Sequence, residues 1–239
     1  MFELSESTLT VLLGTTATVA IAHALVGIDH SLPFIALARA RRWTLRRTVA
    51  ITAGCGVGHV ASSVVIGGVG AVAGSTLESL AWIESARGEV AAALLIGCGL
   101  AYAAWTAWRL FRGRVHTHLH THGDGTVHVH PHDHEGEHLH AHDVASSLTP
   151  WALFVVLLLG PCEPLIPLMV VPAMSQSWGV LVAVVGIFGL LTVGTMTLTV
   201  VVGYRGLDFL PGPRLMRFAD PLAGLVMAAS GAAVLFLGI

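Results

Sequence analysis

The 14 histidines of this 239-residue chain are very unevenly spread. Eleven fall in one 27-residue stretch, HTHLHTHGDGTVHVHPHDHEGEHLHAH, at His116, His118, His120, His122, His128, His130, His132, His134, His138, His140 and His142. Imidazole is a borderline ligand that suits Zn, Cu, Ni, Co and Fe(II). A short His-rich tract is a compositional signal for metal binding. Asp124, Asp133, Glu135, Glu137 and Asp143 add carboxylates, while Gly123, Gly125, Pro131 and Gly136 oppose regular structure. The tract is expected to be mostly disordered and to hold several ions weakly. The bland alternative is a solvated spacer of neutral imidazoles.

The remaining candidate groups sit in apolar segments, where an ionisable side chain is costly and is a functional hypothesis by default. His23, Asp29 and His30 lie within HALVGIDHSLP. On an unbroken helix His23 and His30 would be about 10 Å apart along the axis. Gly27 and Pro33 both weaken the helix. Unwinding near Gly27 would let His23, Asp29 and His30 converge, with Asp29 as ligand or as acceptor of a histidine ring N–H. Against this stands a reading in which Asp29 and His30 are merely wet at the interface. His59 follows the glycines of GCGVGH, which permit close helix approach, expected here toward the first span. Cys55, four residues earlier, shares its face. The segment Gly160-Pro161-Cys162-Glu163-Pro164-Leu165-Ile166-Pro167 cannot make a regular helix. Cys162 offers a soft ligand. Glu163 would be an unpaired charge unless it meets a cation, a proton or a histidine; a Pro kink with protonated Glu163 is the alternative. Thr192, Thr195, Met196 and Thr199 share one helical face and are candidate pathway-lining residues, with plain helix packing the favoured reading.

These groups need a scaffold, and composition indicates which. The chain is 54% hydrophobic and 11% charged, with a mean hydropathy of +0.78. Soluble domains carry about 25% charged residues, so this is an integral membrane sequence. A net charge of −2 gives no case for nucleic-acid binding. The acidic N-terminus lacks the positive n-region of a signal peptide, so the first span reads as retained. Six segments approach the 20 apolar residues that a crossing needs: 8–30, 49–73, 89–111, 150–173, 178–203 and 219–239. Residues 75–88 read as too polar to span and are expected to form a short interfacial helix. Every basic residue is Arg, and 11 of the 12 fall in loops on one side of a six-span layout; Arg87 alone falls opposite. The positive-inside rule then gives N-out and C-out, with the His tract cytoplasmic. Trp43, Trp82, Trp105, Trp108, Trp151 and Trp178 lie near span ends, as interface anchors do. The expected fold is all-α: six transmembrane helices as a 3+3 inverted repeat, with helices one and four interrupted. The divisions are 1–115, the loop 116–143 and 144–239.

His-Ala-Leu…Asp-His at the end of span one resembles the signature of nickel/cobalt transporters and exporters. The interval between His23 and Asp29 is five residues here, against four in that signature. The His-rich loop followed by a Gly-Pro-Cys span is similar to nickel/cobalt efflux proteins. Gly160-Pro161-Cys162-Glu163-Pro164-Leu165-Ile166-Pro167 also resembles the Pro-Cys segment of the cytochrome c biogenesis electron carriers. These groups belong to the lysine-exporter-like superfamily, with urease-accessory-type and "sulfite exporter" relatives. The resemblance covers the whole chain in layout and two or three short motifs in detail. It implies His23, Asp29, His30 and Cys162 as site positions.

The expectation is a non-enzymatic inner-membrane transporter of a divalent cation, Ni2+ or Co2+ first and Zn2+ next, with no permanent cofactor. No ATP-binding motif is present, so a gradient would drive transport, with protons as a coupling ion. Export is favoured over import because the collecting loop is cytoplasmic, although a loop on that side could equally receive imported metal. A homo-oligomer is compatible with the sequence. The competing classes are a thiol redox carrier using Cys162 with Cys55, an anion exporter, and a metal-regulated scaffold. Deleting 116–142 is expected to weaken metal capture yet leave measurable flux; abolished flux in a correctly inserted deletion variant would place the essential site in the loop instead.

Overall fold

The structure is a computed structural model that describes residues 5–72, 76–112, 116–121, 127–132, 144–207 and 218–238. In chain order, helix α1 (Glu6–Val26) gives way to a single 3-10 turn (Ile28–His30) and α2 (Leu32–Ala40). Helices α3 (Leu45–Val72) and α4 (Leu77–Phe111) complete the first half. After the His-rich segment come α5 (Val144–Leu159), α6 (Leu165–Met174), α7 (Trp178–Gly206) and α8 (Ala219–Leu237). Five helices, α1, α3, α4, α7 and α8, are long and apolar enough to cross a membrane. The apolar parts of α5 and α6 are shorter. Large hydrophobic side chains such as Val11, Leu190, Leu198, Val202 and Phe236 are exposed. A soluble surface would not carry such a contiguous apolar skin.

The interruption of the first helix falls where the sequence weakens it. Gly27 caps α1 in an extended conformation, and its N–H still bonds the His23 carbonyl at 3.0 Å. A Cβ on Gly27 would lie 2.1 Å from Nδ1 of His30, so glycine is required for that ring to fold back. Pro33 then starts α2, where its missing N–H costs nothing. The second interruption, residues 160–164, separates α5 from α6 at the Pro-rich motif.

Three expectations are corrected. Residues 77–88 do not form a separate interfacial helix. They are the first turns of α4, a continuous 35-residue helix capped by Thr76, which accepts the Ser79 N–H at 3.2 Å. At 1.5 Å per residue α4 is about 52 Å long. Its polarity is tolerated because Glu84 faces inward, fully buried, and is satisfied there. Trp43 is not an interface anchor: it is 4% exposed, packs in the core, and its carbonyl accepts the Tyr204 hydroxyl at 2.8 Å. Within the His tract, His116–Thr121 and Val127–His132 pair as an antiparallel hairpin instead of remaining unstructured. His118 stands opposite His130 and His120 opposite His128. His122, His134, His138, His140 and His142 lie outside the described residues.

The buried side chains form two apolar groups. One joins Phe34 and Leu37 of α2, Cys55 of α3, Leu157 of α5, Met196 of α7 and Met227 of α8. The other joins Ala20 of α1, Val60 of α3, Cys162 and Leu165 at the second interruption, and Phe188 of α7. Helix α3 passes from the first group to the second, and α7 passes back, so the two run antiparallel. Helices α4 and α8 pack almost backbone to backbone: a Cβ on Gly224 would lie 2.6 Å from both the Ala103 nitrogen and the Gly99 carbonyl oxygen. Small residues at such crossings let membrane helices approach closely. Gly224→Ala is therefore expected to lower stability by about 1–3 kcal/mol, the usual cost of overpacking. Gly97→Ala, with nothing within 4 Å of its Cβ, should be near neutral. Denaturant unfolding in micelles compares the two; equal stabilities would remove the close crossing.

Candidate metal centre

His59 is the fifteenth residue of the 28-residue α3, so its side chain sits at half the height of that helix. The two helix interruptions come to the same level. Together they gather the three histidines that lie outside the loop. One ligand atom from each of His23, His30 and His59 can be chosen so that all lie within 4.8 Å of one another. The His30 ring stands edge-on to the other two, with centroids at 4.9 Å from His23 and 4.7 Å from His59. His23 and His59 are near parallel at 5.9 Å.

Hydrogen bonds assign the ring protons. Nδ1 of His30 faces two acceptors, Asp29 Oδ1 at 3.0 Å and the Gly27 carbonyl at 3.2 Å. Nδ1 of His59 faces the Leu157 carbonyl at 3.0 Å. Acceptor partners require the N–H on Nδ1, which leaves the lone pair on Nε2 in each neutral ring. The two Nε2 atoms are 3.2 Å apart. The gap between these rings, 3% and 1% exposed, takes either a proton, which makes one ring an imidazolium donating to the other, or a metal ion. A tetrahedral ion with bonds of about 2.0–2.1 Å sets its nitrogen ligands about 3.3–3.4 Å apart, close to the spacing already present.

Cys162 joins from the second interruption, its Sγ 3.7 Å from Nε2 of His23. It is fully buried and stands beside the three-histidine group, touching only its His23 edge. A cavity of about 420 Å³ opens onto this group, lined by His23, Asp29, His30, Glu89 and Glu163 among others. Its remaining walls come from the N-terminal part of α4 and the C-terminal end of α8. On the opposite side of the histidines, Leu157, Phe34 and Met196 close the core.

The residues singled out from sequence separate into those that meet and those that do not. His23, Asp29, His30, His59 and Cys162 come together. Asp29 does so through Nδ1 of His30, the role of an acceptor that orients a ligand. Glu163 is exposed on the cavity wall and is not an unpaired buried charge. Thr192 and Met196 are fully buried, Met196 within the apolar core, and Thr199 bonds back to the Thr195 carbonyl at 2.9 Å. None of these four lines the cavity at the histidines, so this face packs and is not part of that vestibule. The glycines before His59 serve α5 and α7 and not the first span: a Cβ on Gly58 would meet Phe154, and one on Gly56 would meet Val193 and Met196. Cys55 packs in the first apolar group, apart from Cys162 in the second.

Two residues escaped the sequence reading. Glu84 and Arg87 form a buried ion pair on α4 that reaches the second interruption. Arg87 was visible as the single arginine on the wrong side of the charge asymmetry, and a carboxylate three residues earlier is the partner a helix would offer it.

Comparison of the chain with protein-family models, with curated proteins and with solved structures finds no match.

The tautomers fix an expected outcome. Cobalt(II) titrated into the purified chain should give a thiolate-to-cobalt absorption band, which the cysteine-free His tract cannot produce and which Cys162→Ser should remove. Asp29→Asn should weaken this site about 10–100-fold, the usual cost of losing a partner that orients a ligand. Unchanged affinity in Asp29→Asn would remove the proton assignment of His30.

Proposed function

We propose that the chain is a six-crossing membrane transporter of a divalent first-row transition-metal cation, Ni2+ or Co2+ in the first instance. In this reading α1 with α2, and α5 with α6, are the two interrupted crossings of an inverted repeat. The antiparallel run of α3 and α7 and the pairing of α4 with α8 support it, since each pair would be related by the repeat axis. The observation that carries the function is the pair of Nε2 lone pairs 3.2 Å apart at half height. Here both N–H groups are turned away toward fixed acceptors, which leaves a place for a cation.

His23, His30 and His59 would bind the ion as cargo after partial dehydration, and Cys162 would complete four ligands. Coordination would draw His23 and Cys162 inward by about an ångström to reach tetrahedral spacing. The cavity would lead to one face of the membrane, with Asp29, Glu89 and Glu163 giving it a negative wall that favours cations. By the arginine count, the opposite, closed side of the site would face the cytoplasm. Alternating access would then require the apolar group around Phe34, Leu157 and Met196 to part. Ligands must be deprotonated to bind metal, so uptake at the site releases protons and proton exchange is a natural coupling. The cytoplasmic His tract would collect the ion, which favours export across the inner membrane.

A thiol relay fits less well, because Cys162 meets a histidine and Cys55 packs elsewhere. Proteoliposome flux with Ni2+, Co2+, Zn2+ and sulfite, with and without a pH gradient, tests the proposal. Cation flux is expected in the wild type and should fall at least tenfold in His59→Ala. Sulfite flux without cation flux, or full cation flux in an inserted His59→Ala protein, would overturn it.

A further inference from the structure

A helix broken inside a membrane leaves backbone groups without partners, and at the second interruption these partners come from α3 and α4. Arg87 donates to the Leu158 carbonyl at 2.8 Å and to the Gly160 carbonyl at 3.3 Å. These are orphan acceptors at the end of α5. The Leu157 carbonyl accepts both the Gly160 N–H at 3.1 Å and Nδ1–H of His59 at 3.0 Å. Glu84 accepts the Cys162 N–H at 2.9 Å, the Ser63 hydroxyl at 3.2 Å and the guanidinium of Arg87. Arg87 also reaches the Ser62 hydroxyl at 2.8 Å. Glu84 is fully buried and the Arg87 side chain is 14% exposed.

We propose that Glu84 and Arg87 are positioning residues that hold the backbone of residues 158–162 so that the Cys162 thiol stands at the His23 edge of the metal centre. This rests on the metal-site reading above and adds to it the residues that set the fourth ligand. The assignment follows from direct connection. The Glu84 carboxylate bonds the N–H of the residue whose sulfur lies 3.7 Å from His23. Arg87 fixes the two carbonyls that precede it. A pair that only glued helices together would have no need to reach the cysteine's own amide. Its charges are also held in a place where a matched apolar pair is often as stable or more so.

The test is cobalt(II) titration of the full-length protein in nanodiscs, reading the thiolate-to-cobalt band and the visible ligand-field bands separately. The variants are Glu84→Leu with Arg87→Leu, which leaves no unpaired charge, and Glu84→Gln, which keeps the size and one oxygen acceptor. In both, the thiolate band should fall relative to the ligand-field bands, and affinity should fall about 10–100-fold. The conservative Arg87→Lys should restore more of the thiolate band than Arg87→Leu. A full-strength thiolate band in Glu84→Gln overturns the proposal, whether or not the double variant inserts. A wild-type spectrum with ligand-field bands that depend on His59 but no thiolate band also overturns it and leaves the histidine site standing. Absence of any His59-dependent cobalt signal overturns both.

Discussion

One constraint organises the polar groups around the three central histidines. Two imidazoles have their protons turned outward to fixed acceptors and their lone pairs turned inward. The acceptor for His30 is the Asp29 carboxylate of its own 3-10 turn, and the acceptor for His59 is the Leu157 carbonyl near the end of α5. Each interruption thus does two things at once. It brings donor atoms to one level, and it exposes a backbone group that sets a tautomer.

The constraint explains why so few ionisable residues suffice. In hydrocarbon an unsatisfied backbone group costs several kcal/mol, so irregular backbone is tolerated only where the protein or a cavity supplies partners. The first interruption is kept short: one 3-10 turn whose His30 N–H returns to the Gly27 carbonyl at 3.1 Å. The second is wider and draws on the only charged pair buried among the described residues of α4. The cost of Glu84 and Arg87 is offset by contacts to two serines, two carbonyls and an amide. The two sides of the site differ accordingly, with a carboxylate-lined cavity on one and an apolar seal on the other.

Much of this was legible before any coordinates. Gly27 and the prolines between 161 and 167 marked both breaks, because those residues act on the backbone whatever surrounds them. His23, Asp29, His30 and His59 stood out because a charge or imidazole is so unfavourable in an apolar run. The errors have a common cause: polarity along one segment was read without the partners that another segment supplies. Residues 77–88 looked too polar to belong to a membrane helix because the acceptors and donors that satisfy Glu84 and Arg87 lie on α3 and at the second interruption. The Thr192 to Thr199 face, for which helix packing was the favoured reading, does have Thr199 bonding back to its own helix. Trp43 sits near an element end in sequence, yet α2 folds it into the core. The glycines before His59 were correctly seen as a close-packing surface, but periodicity does not say which helix approaches.

The proposed transport turns on a metal cation held between His30 and His59. Anomalous diffraction from crystals grown with Ni2+ or Co2+, collected on either side of the metal's absorption edge, addresses it directly. A peak is expected within bonding distance of both Nε2 atoms and near His23. Anomalous density confined to the His tract, with Nε2 of His30 and His59 joined by a hydrogen bond and no peak between them, would contradict it.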